Sequence, residues 1–295
     1  MENSAPGRLT LTTATPDDWR VVTGWAADEG WNPGLRDTAA FFAQDPGGFF
    51  LGRVDGEPVS AISVVTYDAA YAFLGFYLVR PDARGRGHGI ATWRAALAHA
   101  GDRTVGLDGV PAQQANYRRS GFRHRHDSMR YVGPASPGPR PAHVRPAAEA
   151  GPAALAAYDS SCFPADRPRF LARWLDTPGH TALVSVVDGR VTGYGVVRPA
   201  REGARIGPLF ADTRADAEAL LDGLTAGLDG VPVGIDVPLS NASAVALAES
   251  RGLRPAFATA RMYTGPVREF AQHKVFGITT LELGRRPGRA AVTSR

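Results

Sequence analysis

Residues 84–90 read Arg-Gly-Arg-Gly-His-Gly-Ile, directly after the apolar run that ends at Leu78-Val79 and directly before a helical stretch. Gly85, Gly87 and Gly89 can take backbone angles closed to other residues, so successive N–H groups can converge on one anion. The helix opening there adds the positive end of its dipole, and Arg84 and Arg86 add formal charge. His88 and Ile90 complete the turn into the helix. The chemistry this predicts is the holding of a pyrophosphate. Two familiar phosphate loops are excluded by spacing. No Gly-Lys-Ser/Thr follows the glycines, and Gly-x-Gly-x-x-Gly with an acidic residue about twenty positions on is absent.

Such a loop needs a strand to deliver the chain and a helix to carry it away. Residues 73–79 read as that strand and 89–100 as that helix. Upstream, residues 49–65 form a hairpin pattern with Asp55-Gly56 at the turn. The plan then recurs. Residues 182–197 repeat the hairpin around Asp188-Gly189, 205–210 match the strand, and 215–228 match the helix. Leu107-Asp108-Gly109-Val110-Pro111 is answered by Ile235-Asp236-Val237-Pro238, and Ser120-Gly121-Phe122 by Arg251-Gly252-Leu253. A fold-sized internal repeat accounts for all of these. Residues 134–141, dominated by Pro and Gly, read as a semi-rigid linker. The expected organisation is a domain over 1–133, a linker over 134–142, a second domain over 143–288 and a tail over 289–295. Each domain is expected to be α/β, a mixed and mostly antiparallel sheet flanked by helices. Where the first copy has its glycine loop, the second has Ala211-Asp212-Thr213-Arg214-Ala215-Asp216, with no glycine and two carboxylates. Where the first has Tyr117, the second has Ala248.

Arg84, Gly87 and Gly89 fall on the fixed positions of Gln/Arg-x-x-Gly-x-Gly/Ala. The first half therefore resembles a complete domain of the GNAT superfamily of acyl-CoA N-acyltransferases, from Trp19 to the Tyr117-x-x-x-Gly121-Phe122 element. Residues 205–212, Arg261-Met262-Tyr263 and 275–284 resemble the degenerate C-terminal domain of bacterial tandem members. The resemblance covers nearly the whole chain and says nothing of the acceptor. It implies acetyl-CoA or another acyl-CoA as donor, held at Leu78, Val79 and residues 84–90. It further implies that the strand ending at Leu78-Val79 splays from its neighbour, freeing backbone N–H groups for the thioester carbonyl. The Asn-x-x-Ala that often supports the pantetheine arm is missing. Gln113, Gln114 and Asn116 stand in its place.

Attack of an amine on an acyl thioester needs a held donor, a neutral amine, an oxyanion site and an acid for the departing thiolate. Tyr117 fits the acid, because a phenol of ordinary pKa near 10 can protonate a thiolate of somewhat lower pKa. For a general base, Asp68, His273 and a water relay all remain open, while His124 and His126, in an Arg-rich segment, are expected to be solvated. The acceptor is expected beside the turn-rich Trp31-Asn32-Pro33-Gly34-Leu35-Arg36-Asp37, with Phe276 and His273 of the second domain on the opposite wall.

Composition narrows the rest. Of 295 residues, 44% are hydrophobic, enough for two cores, and no stretch is apolar enough for a membrane span. Nothing at the N-terminus reads as a signal peptide, so a cytoplasmic protein is expected. Cys162 is the only cysteine, which excludes an internal disulfide and a cysteine-based zinc site. No metal is expected, and Cys162 reads as a buried structural thiol. Net charge is +4, but the arginines are spread along the sequence without interleaved aromatics, so nucleic acid is not expected as a partner. The leading function is N-acyl transfer, most often N-acetyl, to a small-molecule amine. Two alternatives stay open: an acyltransferase fed by an acidic carrier protein, and a non-catalytic acyl-CoA sensor.

Overall fold

Asp55-Gly56 and Asp188-Gly189 both turn through positive φ, at 51° and 84° in the first pair and 49° and 73° in the second. Turns of this mirror-image kind match the right-handed twist of paired strands, so each sets the register of a hairpin. The computed structural model describes residues 8–281. Its first half runs β1 (Leu9–Thr13), α1 (Pro16–Asp28), α2 (Thr38–Gln44), β2 (Phe49–Val54), β3 (Glu57–Thr66), β4 (Tyr71–Val79), α3 (His88–Ala100), β5 (Thr104–Gly109), α4 (Gln114–Arg119) and β6 (Arg123–Pro134). The second half repeats that order: β7 (Val144–Pro146), α5 (Pro152–Cys162), α6 (Pro168–Leu175), β8 (Thr181–Val187), β9 (Arg190–Pro199), β10 (Ala204–Ala211), α7 (Arg214–Thr225), β11 (Pro232–Pro238), α8 (Ala242–Ser250) and β12 (Arg254–Tyr263). A short β13 (Val275–Gly277) follows.

Each half forms a mixed sheet that is antiparallel except for one parallel pair, β4 with β5 and β10 with β11. The two sheets fuse by exchange of their last strands. β12 pairs with β5 of the first half, β6 pairs with β11 of the second, and β6 and β12 pair with each other. The result is one sheet ordered β1-β2-β3-β4-β5-β12-β6-β11-β10-β9-β8-β7. A carboxylate in the middle of an apolar strand needs a partner, and the exchanged strands supply it. Arg261 of β12 donates to Asp108 of β5 at 2.8 and 2.9 Å, and Arg130 of β6 donates to Asp236 of β11 at 2.7 and 3.1 Å.

Side-chain alternation divides the core between the two faces of this sheet. Tyr71, Phe73, Phe76 and Leu78 of β4 join Trp19, Phe41 and Trp31 on the α1/α2 face, in a core that continues into Phe170, Trp174 and Tyr194 of the second half. Ala72 and Leu74 join Trp93, Tyr117 and Phe122 on the α3/α4 face, with Tyr77 packed against them. Phe73 and Phe76 share a face although three residues apart, because β4 carries a bulge. Phe76 has φ +46°, and the register with β3 shifts between Ala61↔Leu78 and Ser63↔Gly75. One extra residue flips every later side chain of the strand, which turns Tyr77 and Val79 toward α3.

Candidate functional site

β4 and β5 pair only as far as Phe73↔Gly106. Beyond that row they diverge, and the edge of β4 that faced β5 has no strand partner among the described residues. A cleft fills the opening, lined by Tyr77, Leu78, Val79, Arg84, Gln113 and Tyr117. A second groove continues from it past Tyr77, Ile90, Trp93, Asn116, Tyr117 and Arg119. The loop, the strand end and the phenol singled out in the sequence therefore meet at one place.

Gly85 and Gly87 have φ of +76° and +80°, which explains why glycine stands there, and among the described residues, chain neighbours aside, nothing lies within 4 Å of a Cβ built on either. The space above the loop is open. Gly89 serves a different need, since a Cβ there would stand 2.7 Å from Tyr77 Oη and 2.8 Å from Val79 Cγ2. Arg84 bends back on the fold: its Nε donates to Val79 O at 3.0 Å and its guanidinium pairs with Glu29, the residue that follows α1. Arg86 points to solvent. His88 is the first residue of α3, and its carbonyl accepts from Thr92 Oγ1 at 2.9 Å.

Tyr117 is buried on α4, stacked on Trp93 at 5.7 Å and 21° and set edge-on to Phe122. Gly109 makes room for its ring, since a Cβ there would lie 2.9 Å from Tyr117 Cδ2. Asn116 is exposed and its amide is engaged by Gln113 and Arg119. Of the three candidate amides, Gln113 is the one whose side chain lines the cleft.

The acceptor-loop residues are fixed to the second half. Asn32 exchanges hydrogen bonds with the backbone of Glu202, at 2.7 and 3.1 Å. Asp37 is buried, with both carboxylate oxygens accepting from Arg198 Nε at 2.8 and 2.9 Å, so its place is a clamp between halves. Trp31 is 5% exposed, with its ring 5.9 Å from that of Phe76. It nevertheless borders an open groove on the α1/α2 face, together with Asn32, Arg130, Phe257, Glu202 and Arg205.

The candidate bases and the second-half wall lie elsewhere. Asp68 accepts from the N–H groups of Ala70 and Tyr71, both at 2.8 Å, so its carboxylate shapes the β3–β4 turn. The length of β4, about 25 Å, separates it from Val79. His273 is exposed and outside the grooves described above, and Phe276 is buried in the second half's own core beside Leu220 and Leu247. His124 is exposed and paired with Asp127, but His126 is half-buried, a difference from the solvated pair read in the sequence. Burial and the neighbouring Arg261 lower its pKa to about 3, and its Nδ1 has no hydrogen-bond partner among the described residues. Sequence reasoning missed Asp108 and Arg261, although an Asp inside Val105-Gly106-Leu107-Asp108 was a signal that a cation must meet it.

The second half has the same opening and fills it. β10 and β11 pair through Ile206↔Ile235, and beyond that β13 pairs with β10 at Leu209↔Gly277 and Phe210↔Val275. Asn241 Nδ2 donates to the carbonyls of His273 and Val275, and Lys274 pairs with Asp212 at 2.9 Å. Thr213 caps α7 by accepting from Asp216 N.

Residues 14–122 match the model of the acetyltransferase (GNAT) family, and residues 155–277 match a second acetyltransferase (GNAT) domain model. The holothin acyltransferase of Pseudoalteromonas sp. is 35% identical over 278 residues, covering 93% of this chain and 94% of that one. The chain belongs to the GNAT acyltransferase family. Among solved structures, a protein of Pyrococcus horikoshii described as an acetyltransferase aligns with a TM-score of 0.80 at 24% identity, over 96% of this chain and 99% of its own. A tandem GNAT protein from the clavulanic acid biosynthesis pathway aligns at 0.60 and 18% identity, over 88% and 99%. These likenesses concern the fold. In this acyltransferase the first half carries the open cleft and the second is its degenerate copy. Among the described residues no helix is long and apolar enough to cross a membrane.

Proposed function

We propose that this enzyme binds an acyl-CoA in the β4–β5 opening and passes the acyl group to the amine of a small molecule in the groove beside Trp31 and Asn32. The observation that carries the reading is the single cleft shared by Tyr77–Val79, Arg84 and Tyr117. The loop at Gly85 to Gly89 receives the pyrophosphate, and the unpaired edge of β4 past Phe73 offers N–H groups to the thioester carbonyl. The amine nitrogen attacks the carbonyl carbon, the carbon–sulfur bond breaks, and the phenol of Tyr117 gives its proton to the thiolate. The amine sheds its proton to water, from which Tyr117 is recharged.

Transfer is direct, within a ternary complex. Cys162 is 2% exposed, and burial raises its pKa to about 12, so it supplies no thiolate for a covalent intermediate. The relative named holothin acyltransferase makes holothin the first acceptor to try, followed by other small biosynthetic amines. With acetyl-CoA and such an amine, release of free thiol is expected to depend on both, with initial-rate lines that intersect. Parallel lines, or a requirement for a protein-bound pantetheine arm, would overturn this reading.

A further inference from the structure

Given the acceptor groove proposed above, on which this rests, we infer that Asp37 and Arg198 are positioning residues for the acceptor amine. Their pair holds the α1–α2 loop against the second half so that Trp31 and Asn32 stand as one wall of the groove. It sets acceptor affinity and leaves donor affinity alone. Asp37 stands at the N-cap position of α2, where a carboxylate ordinarily accepts from the first free N–H groups of the helix, yet it makes no such bond. Its oxygens turn the other way. Both accept from Arg198 Nε at 2.8 and 2.9 Å, and Oδ2 also accepts from Gly34 N at 3.1 Å. A Cβ at Gly34 would collide with this carboxylate, so glycine is what lets the loop close over it. Arg198, 1% exposed, is fixed in turn: it donates to Gly207 O at 3.1 Å, and its guanidinium lies 4.9 Å from the centre of the Trp174 ring.

The backbone beside this pair joins the halves like an added strand. Leu35 N donates to Pro199 O at 3.0 Å, and Gly34 forms a bridge with Ala200. With Asn32 on Glu202 and Asp37 on Arg198, the contacts run antiparallel along one seam. Trp31, Asn32 and Glu202, at the near end of that seam, line the groove, and so does Arg205, which faces Arg198 across β9 and β10. The matching loop of the second half is held in another way. Arg167 precedes α6 as Asp37 precedes α2, but it pairs with Asp159 of its own half, while Phe163 meets Tyr67 and Tyr71 through ring contacts. A buried charge pair between the halves carries a desolvation cost that such apolar contacts avoid. What it adds is a fixed direction and length, which a wall that must orient a small substrate requires.

Two variants test the pair. Asp37→Leu/Arg198→Met removes both charges at once, so no buried ion is left uncompensated. Gly34→Ala displaces the same carboxylate with both charges in place. Acetyl-CoA affinity of each full-length protein is measured by titration calorimetry, and initial rates are measured with acetyl-CoA and four probe amines: holothin, glycinamide, kanamycin and spermidine. For every amine that the parent acylates, both variants are expected to raise the acceptor KM about tenfold or more, with kcat within about threefold and acetyl-CoA affinity within about twofold of the parent. An unchanged acceptor KM in a folded variant overturns the proposal and leaves the groove standing. A loss of acetyl-CoA affinity that parallels the rise in KM also overturns it, since the pair would then support the fold as a whole. A parent that binds acetyl-CoA and acylates none of the four amines overturns the acceptor reading, and the role of the pair with it. Should one variant fail to fold, the other decides.

Discussion

The two halves share a plan down to the register of their hairpins, yet one leaves its sheet open and the other closes it. In the first, β4 and β5 part after Phe73↔Gly106, and among the described residues no strand takes the space between them. In the second, β10 and β11 part after Ile206↔Ile235 and β13 pairs with the freed edge of β10. The loops diverge with the openings. α3 starts at Gly87 with φ +80° and bare N–H groups, whereas α7 starts at Thr213, whose hydroxyl satisfies Asp216 N. A helix start that caps itself has less to give an anion. The fold thus persists without its site because the strand exchange is independent of the opening, and what the second half retains is its share of the common sheet.

The exchange is the place to break the comparison most severely. Arg261 is the partner that the structure gives the buried Asp108, so Arg261→Met is expected to cost about 3–5 kcal/mol, the range for leaving one member of a buried pair uncompensated. Arg130→Met, at the equivalent position of the other half, is expected to cost less, because Arg205 still donates to Asp236 at 2.6 Å. Urea unfolding of both variants checks the order. Burial pushes the Asp236 carboxyl up, but Arg130 and Arg205 outweigh it and hold it well below the usual carboxylate range. A depressed carboxylate contributes stability above its unfolded pKa near 3.9, and that contribution is lost as pH falls further.

Tyr117 against Ala248 is the catalytic form of the contrast. Tyr117→Phe removes one oxygen and keeps the stack on Trp93, so stability is expected to hold while acyl transfer slows by roughly 10²–10⁴, about 3–5 kcal/mol. Single-turnover rates check this, and the loss is expected to shrink with donors whose thiol is more acidic. A variant at the parental rate returns Tyr117 to the core.

His126 tests the contact between the halves by pH. Its folded pKa, near 3, lies below the unfolded value of about 6.5, so between those limits the unfolded chain binds the extra proton and stability falls as pH falls. The slope from this one group approaches ~1.4 kcal/mol per pH unit. His126→Phe is expected to flatten that part of the stability curve, as followed by thermal unfolding from pH 7 to 4.

Much of this was legible. The paired Asp-Gly turns, the glycine loop and Tyr117 are local signals, each written in a few adjacent residues whose backbone needs are known. The strand exchange was not, because residues 123–134 and 254–263 alternate as any strand does, and nothing in either says which β5 edge it will join. The plug was hidden for the same reason: Val275-Phe276-Gly277 reads as a wall of the acceptor site until its pairing with β10 is seen. His126 looked solvated among arginines, since the residues that bury it come from the other half.

Gly87→Val strikes the open loop and is expected to weaken acetyl-CoA binding by about 1–3 kcal/mol, the range for a strained backbone position. The strain comes from φ +80° and not from a clash, as among the described residues, chain neighbours aside, no atom lies within 4 Å of the added Cβ. Calorimetry is expected to show one donor site per chain.

The smallest expected effect sharpens the comparison from the closed side. Lys274→Ala removes the ion pair with Asp212 that ties down the β13 segment. Both partners are partly exposed, so the pair is worth no more than about 1 kcal/mol, and Asn241 still donates to the carbonyls of His273 and Val275. If the second half only carries its share of the sheet, loosening the plug leaves donor affinity within about 0.5 kcal/mol of the parent and the stoichiometry at one. A second site appearing in Lys274→Ala, at any affinity calorimetry can resolve, would show that the plug hides a working groove. The difference between the halves would then lie in the strap over β10 and not in the lost glycines.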